Sequence, residues 1–278
     1  MSTSIAELRT AIDTLDQQLL QLLNQRATLA NAIGDIKRQE GSQVYRPERE
    51  AQVIHKLQTA NQGPLKADSV ANIWREVMSA CRALEEPHRV AYLGPEGTFS
   101  EQAAEAFFGV SIERVPCTNF DEVFEATTSG RAAFGVVPME NSTEGMVTRS
   151  LDLFLTSPLH IIGEVSLLIR HNLLSQQRDL QKIQAVYAHP QALAQCQNWL
   201  NAHLPHAERH ATASNAEGAR LATENPNCAA IASLRAGSRF GLHVVAPSIQ
   251  DEAYNRTRFA IMCLPHKQDR PEASGNDC

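Results

Sequence analysis

Arg26 stands where the pattern around it calls for a leucine or isoleucine. From Ile5 to Ile36 the apolar residues fall at positions 5, 8, 12, 15, 19, 22, 29, 33 and 36, which writes a heptad seam along one long helix. Position 26 continues that seam, and a guanidinium cannot shed its proton to escape burial. It needs an anion opposite it. Lys37 lies about 20° from Arg26 around the helix and roughly 16 Å along it, so both cations can flank one ligand. Arg9 is about 25 Å and about 100° away from Arg26, so if it joins that ligand a second chain must bring it. A long seam accompanied by two short helices also asks for an intertwined dimer. The charges then imply a small polyanion. Taken singly, Arg9, Lys37 and Arg49 also read as solvated flank charges.

A second set of polar residues falls at strand ends. GPEGTFS follows the strand-like RVAYL, with Thr98 or Ser100 as a helix cap and Glu101 in the first turn. Amides at such a helix start attract anions, although the stretch is neither a dinucleotide fingerprint nor a P-loop. PMENSTEG follows FGVV and HPQALAQC follows AVYA, at the positions where open α/β sheets bind ligands. Glu140 and Asn141 could equally cap a helix there, and His189 could be a satisfied structural histidine. YNRTRFAIM reads first as a charged edge strand. Its alternation puts Thr257 and Phe259 on one face and Arg256 and Arg258 on the other, so Arg258 would brace the cleft from behind. His203, His206 and His210 surround Pro205 without a completing acid or thiol and read as a surface loop; no metal and no cofactor are expected.

The elements that must carry these residues change character along the chain. After the long helix, a second starts at Pro47 and breaks at Gly63-Pro64. A third takes Asp68 as N-cap, carries Val70, Ile73, Val77, Cys81 and Leu84 on one stripe, and ends at Glu86-Pro87. Strand and helix patterns then alternate, giving α/β architecture with mixed sheets. The predicted domains are 1–88, all helical, and 89–265, α/β; residues 266–278 form a polar tail expected to be disordered. A length of 278 residues fits two units, and 43% hydrophobic with 20% charged residues fits a soluble globular protein. A net charge of −6 argues against duplex DNA as a partner. The N-terminus lacks the order of a signal peptide and no apolar run spans a bilayer, so a cytoplasmic protein is expected. The six cysteines are scattered, which favours reduced thiols.

LRTAIDTLD, LLNQRATLA, GDIK, PERE and WREVMSACRALE resemble the all-helical chorismate mutase that forms the N-terminal part of bifunctional P-proteins. The resemblance implies that Arg26, Lys37, Arg49 and Glu50 line its pocket, with Arg9 entering from a partner subunit of a homodimer. It assigns Lys37 to the ether oxygen of chorismate and places Glu85 opposite. A glutamate there must be protonated to donate, so activity should weaken as pH rises. Arg46 stands where some members have aspartate, and Cys81 where serine is frequent, unless Ser79 takes that role by a register shift.

GPEGTFS, PMENSTEG, HPQALAQC and NRTRF, in that order, resemble prephenate dehydratase over about residues 89–263. The implied fold is two α/β lobes similar to type II periplasmic binding proteins, with the active site in the cleft. Prephenate would be bound there, with the essential hydroxyl on Thr257 and Glu140 as proton reservoir. Asn141, Ser142 and Gln191, or Gln195 in its place, would orient the substrate. Thr98, Ser100, Arg258 and Phe259 would complete the surroundings. Such proteins continue into a C-terminal ACT domain, and EASGNDC resembles the start of that junction, so both activities are expected without classical phenylalanine inhibition. The alternatives are a mutase with an impaired dehydratase, or a dimeric small-anion sensor, which would need a helix-turn-helix and a basic face not visible in the sequence.

Overall fold

The computed structural model describes residues 4–40, 47–85 and 87–265, apart from the side chain of Arg38. Arg46 and the tail from 266 lie outside the described residues. The chain divides into two compact units, one comprising the residues up to His88 with Phe108–Glu113, the other Arg89–Phe107 with the residues from Arg114 onward.

In the first unit the heptad seam forms one uninterrupted helix, α1 (Ile5–Gln39), followed by α2 (Pro47–Ala60) and α3 (Ala67–Ala83). Pro47 opens α2 because its missing N–H costs nothing in the first turn, where Glu48 and Glu50 also suit the helix dipole. Helix α3 differs from expectation. Lys66 is its cap and makes no side-chain cap bond, while Asp68 sits inside the first turn. Its buried residues are Val70, Met78, Ser79 and Cys81, whereas Ile73 and Leu84 stay 45% and 63% exposed. The stripe is split because α3 is covered on two sides: it packs on α1 and α2, and Ser79 Oγ accepts the Ser111 N–H at 3.2 Å. Along α1 the seam itself is bare, with Leu8, Ile12, Leu15, Leu19 and Leu22 all more than half exposed.

The second unit runs β1 (Arg89–Leu93), α4 (Phe99–Phe108), β2 (Glu113–Cys117), α5 (Phe120–Thr128), β3 (Phe134–Asn141), β4 (Gly145–Met146), α6 (Thr148–Thr156) and β5 (His160–Leu168). It continues through β6 (Asn172–Ser175), β7 (Ala185–Ala188), α7 (Pro190–Gln195), α8 (Gln197–His203), β8 (Glu208–Ala211), α9 (Asn215–Leu221), β9 (Cys228–Ala232), α10 (Leu234–Phe240), β10 (His243–Ala246) and β11 (Arg256–Cys263). Two mixed sheets result, ordered β2-β1-β3-β11-β5 with β4 on β3, and β10-β6-β9-β7-β8.

Strand β11 is therefore not an edge. It lies antiparallel between β3 and β5, and Arg258 is tolerated there because its guanidinium meets Glu164 and Glu140 on the solvent side. Two crossovers join the sheets, β5 to β6 and β10 to β11, and they run side by side: Ile169 N–H donates to Asn255 O at 2.8 Å and Ile249 N–H to His171 O at 2.7 Å. Asn255 and His171 are thus held between the lobes. No helix among the described residues is long and apolar enough to cross a membrane.

Candidate functional site

Charge gathers in the helical unit around a cavity of about 670 Å³ lined by residues of all three helices. Helix α1 supplies Arg26 and Lys37, α2 supplies Glu48, Arg49 and Glu50, and α3 with the residues after it supplies Cys81, Arg82 and Glu85. Arg26 is half-buried and its Nη1 lies 3.1 Å from Cys81 Sγ; Glu50 is paired with Arg82. Glu85 reaches the wall of α1 over Gly34, where any Cβ would collide with its carboxylate. Gly34 leaves that carboxylate room where it lies; a side chain there would require Glu85 to shift. Of the residues singled out from sequence, Arg26, Lys37, Arg49, Glu50, Cys81 and Glu85 meet in this cavity. Arg9 is exposed and does not line it. Ser79 spends its hydroxyl elsewhere, on the Ser111 N–H. Arg82 and Glu48 were missed: both lie within quoted motifs, but neither interrupts an apolar pattern.

In the α/β unit a smaller cavity, about 120 Å³, is lined by Phe99, Asn141, Ile169, His171, Gln191, Ala192, Gln195, Asn215, Asn255 and Thr257. Asn141 at the end of β3 faces Thr257 at the start of β11 in register. Asn141 Nδ2 donates to Thr257 Oγ1 and to Asn255 Oδ1, both at 2.8 Å. Asn255 Nδ2 donates to Gln195 Oε1 at 3.2 Å, and that oxygen lies 2.8 Å from His171 Nε2. Burial holds the His171 imidazole below its usual pKa, partly offset by its bond to Gln195. A neutral ring surrounded by amides results.

Several expected members are elsewhere. Glu140 is the register partner of Arg258, one residue out of phase with Asn141 and Thr257, and it pairs with Arg258 at 2.9 Å on the opposite face. Strand alternation thus removes it as the proton reservoir beside Thr257. Arg258 also holds Glu164, whose carboxyl is kept below the usual range by that bond. Phe259 is 2% exposed but does not line the cavity, and the pairing with β3 slips between Arg258 and Phe259. Ser142 receives the Arg256 N–H and donates to Tyr254 O, so its hydroxyl ties strands together. Thr98 caps α4, accepting the Glu101 N–H and donating to Leu93 O, while Ser100 is buried. The Gly97 amide in that loop is taken by Glu101, which also binds Arg114 and Arg235. The Glu101 carboxylate thereby occupies one of the anion-seeking amides of GPEGTFS.

His189 Nδ1 accepts the Gln191 N–H as the cap of α7, and His203 stacks on Trp199. Among the described residues no cluster of ligands that could hold a metal is found. Asn255 and His171 were missed. Asn255 lies two residues before Thr257, so the alternation used for Thr257 and Phe259 reaches it as well. For His171 the only signal is a polar break between two apolar runs.

Residues 8–86 match the family chorismate mutase type II and residues 90–267 match prephenate dehydratase. The chain is 48% identical over 269 residues to the bifunctional chorismate mutase/prephenate dehydratase of Neisseria gonorrhoeae, covering 94% of this chain and 74% of that one. To the protein of the same name from Stutzerimonas stutzeri it is 46% identical, covering 92% and 72%. This chain belongs to the bifunctional chorismate mutase/prephenate dehydratases. A solved prephenate dehydratase from Arthrobacter aurescens, in complex with L-Phe, superposes with a TM-score of 0.60 at 35% identity, covering 64% of this chain and 61% of that chain. The bifunctional enzyme accordingly carries an isomerase domain followed by a lyase domain.

Proposed function

We propose that the helical unit rearranges chorismate to prephenate and that the α/β unit removes the ring carboxylate and C4 hydroxyl of prephenate to leave phenylpyruvate. The observation that carries this reading is the contrast between a charged cavity of about 670 Å³ and an amide-lined pocket of about 120 Å³ in one chain. A pericyclic rearrangement requires no proton transfer or covalent step. It requires a dianion held folded and charge on its ether oxygen stabilised, and converging cations do both. Arg26 and Arg49 are assigned to the carboxylates and Lys37 to the ether oxygen, while Arg82 is held by Glu50. Glu85, in protonated form, donates from the opposite side. Arg9 enters from a second copy of the chain, whose helix also covers the bare seam of α1, giving a homodimer.

In the second reaction the C–C bond to the ring carboxylate breaks, carbon dioxide leaves, and the electron pair enters the ring as the C4–O bond breaks. One proton is consumed and water departs. Hydroxide is a poor leaving group, so a donor must meet it. Asn141 donates to Thr257 Oγ1 at 2.8 Å, which leaves the threonine's own proton free to point at the departing oxygen. Asn141, Gln191 and Gln195 orient the substrate. The functional boundary falls near residues 88–89, and both reactions run in the cytoplasm.

One coupled assay, chorismate in and phenylpyruvate out, tests the whole reading. Thr257→Val should stop the sequence at prephenate, with dehydratase turnover down roughly 100-fold or more and Thr257→Ser keeping most of it. A fully active valine variant removes the hydroxyl from the mechanism.

A further inference from the structure

Glu144, in the loop between β3 and β4, does not line the dehydratase pocket, yet its hydrogen bonds fix the direction of those inside. We propose that Glu144 is a positioning residue that sets the donor–acceptor polarity of the cluster and, with it, the tautomer of His171. The inference rests on reading this cluster as the dehydratase site.

A carboxylate only accepts. Glu144 Oε1 takes the side-chain amides of Gln191 and Gln195, the latter at 3.1 Å. With its NH2 turned toward Glu144, Gln195 must aim its carbonyl inward, and Oε1 indeed lies 2.8 Å from His171 Nε2 and 3.2 Å from Asn255 Nδ2. A carbonyl cannot donate, so the proton of the neutral imidazole sits on Nε2. Nδ1 keeps its lone pair; it is buried and makes no hydrogen bond in the structure.

A second line of bonds starts from the same loop and ends at the same glutamine. The backbone N–H groups of Thr143 and Glu144 donate to Asn141 Oδ1 at 2.9 and 3.2 Å. Asn141 must therefore direct Nδ2 toward Asn255 Oδ1 and Thr257 Oγ1. Asn255, accepting on its oxygen, presents Nδ2 to Gln195 Oε1. Both lines, one from the carboxylate of Glu144 and one from peptide amides beside it, demand the same orientation of Gln195. Chained amides of this kind reinforce one another, and reversing one reverses its neighbours.

The expected result in the wild-type protein is an Nε2–H tautomer for His171, read from the ring-nitrogen shifts of 15N-histidine-labelled full chain. Glu144→Lys offers only donors, so it opposes the orientation that the Asn141 line still favours. Gln195 then populates both orientations, His171 gains an Nδ1–H population, and dehydratase kcat falls by about 10-fold or more, more than KM changes. Glu144→Gln can still accept, so it keeps Nε2–H and a kcat within about threefold. Chorismate turnover by the helical unit reports on folding of each variant. An Nδ1–H tautomer in the wild type overturns the proposal, as does a lysine variant that keeps both the wild-type tautomer and kcat. If the tautomer shifts as stated in a protein that never converts prephenate, the relay stands and the dehydratase reading falls.

Discussion

In the helical unit four cations and three carboxylates face one cavity, whereas the residues lining the α/β pocket include no arginine, lysine, aspartate or glutamate. The difference follows the chemistry each is assigned. A rearrangement with no leaving group is accelerated by charges that fit the folded dianion, and exposed long side chains can supply these only if several converge. Expelling hydroxide is assigned instead, in the proposed mechanism, to one hydroxyl whose proton points the right way. Fixed amides achieve that, because each carboxamide has one donating and one accepting end. The two units also differ in self-sufficiency. The α/β unit buries its sheets under its own helices, while α1 leaves its apolar seam open.

The sharpest way to break this contrast is to ask whether the helical site is shared between chains. Arg9→Ala and Arg26→Ala should each cost the mutase about 100-fold or more and leave prephenate turnover intact. Mixing the two variants should restore about a quarter of the sites, since half of each mixed dimer is intact. No recovery on mixing, with both variants folded and dimeric, removes Arg9 from the partner's site.

A second test concerns buried imidazoles. Burial, helped by Arg82, pushes His88 down to about 4, so it stays neutral in the folded helical unit while the unfolded chain takes up a proton near 6.5. Because the unfolded state binds more protons, stability is complete above pH 6.5, drains away as pH falls toward about 4, and levels off below. The total is up to about 3 kcal/mol, less the share screened where the ring meets solvent. His171 in the α/β unit contributes with the same sign. Urea unfolding of the wild type and of His88→Gln across that range measures it; parallel pH slopes in the two proteins would rule His88 out as the source.

The smallest expected effect is the most discriminating for the α/β site. Glu140→Gln should change dehydratase kcat by less than about threefold, because the side chain faces Arg258 in solvent rather than Thr257. A loss of two orders of magnitude would return Glu140 to the proton path and require β3 to rearrange during turnover.

Periodicity made much of this legible. The heptad seam, the arginine within it, Pro47 as a helix start and the strand–helix alternation after residue 88 all follow from local spacing, and so does the separation of Thr257 from Arg258. The same rule applied across two strands would have separated Glu140 from Thr257, but the pairing of β3 with β11 joins residues more than a hundred positions apart and is not written in either strand alone. Phe259 lies outside the cavity lining, beside a register slip that alternation within one strand cannot reveal.

What the sequence determined by itself is the set of elements and the two chemical vocabularies, cations on helices and amides with a hydroxyl at strand ends, because these depend on neighbours a few residues away. Only the tertiary structure decided which of them meet. It took the crossovers to bring Asn255 between Gln195 and Asn141 and His171 onto Gln195, and the loop after β3 to bring Glu144 onto Gln195. Hydrogen-bond direction is a property of the closed network, since each amide's orientation is set by its partners rather than by its own position in the chain.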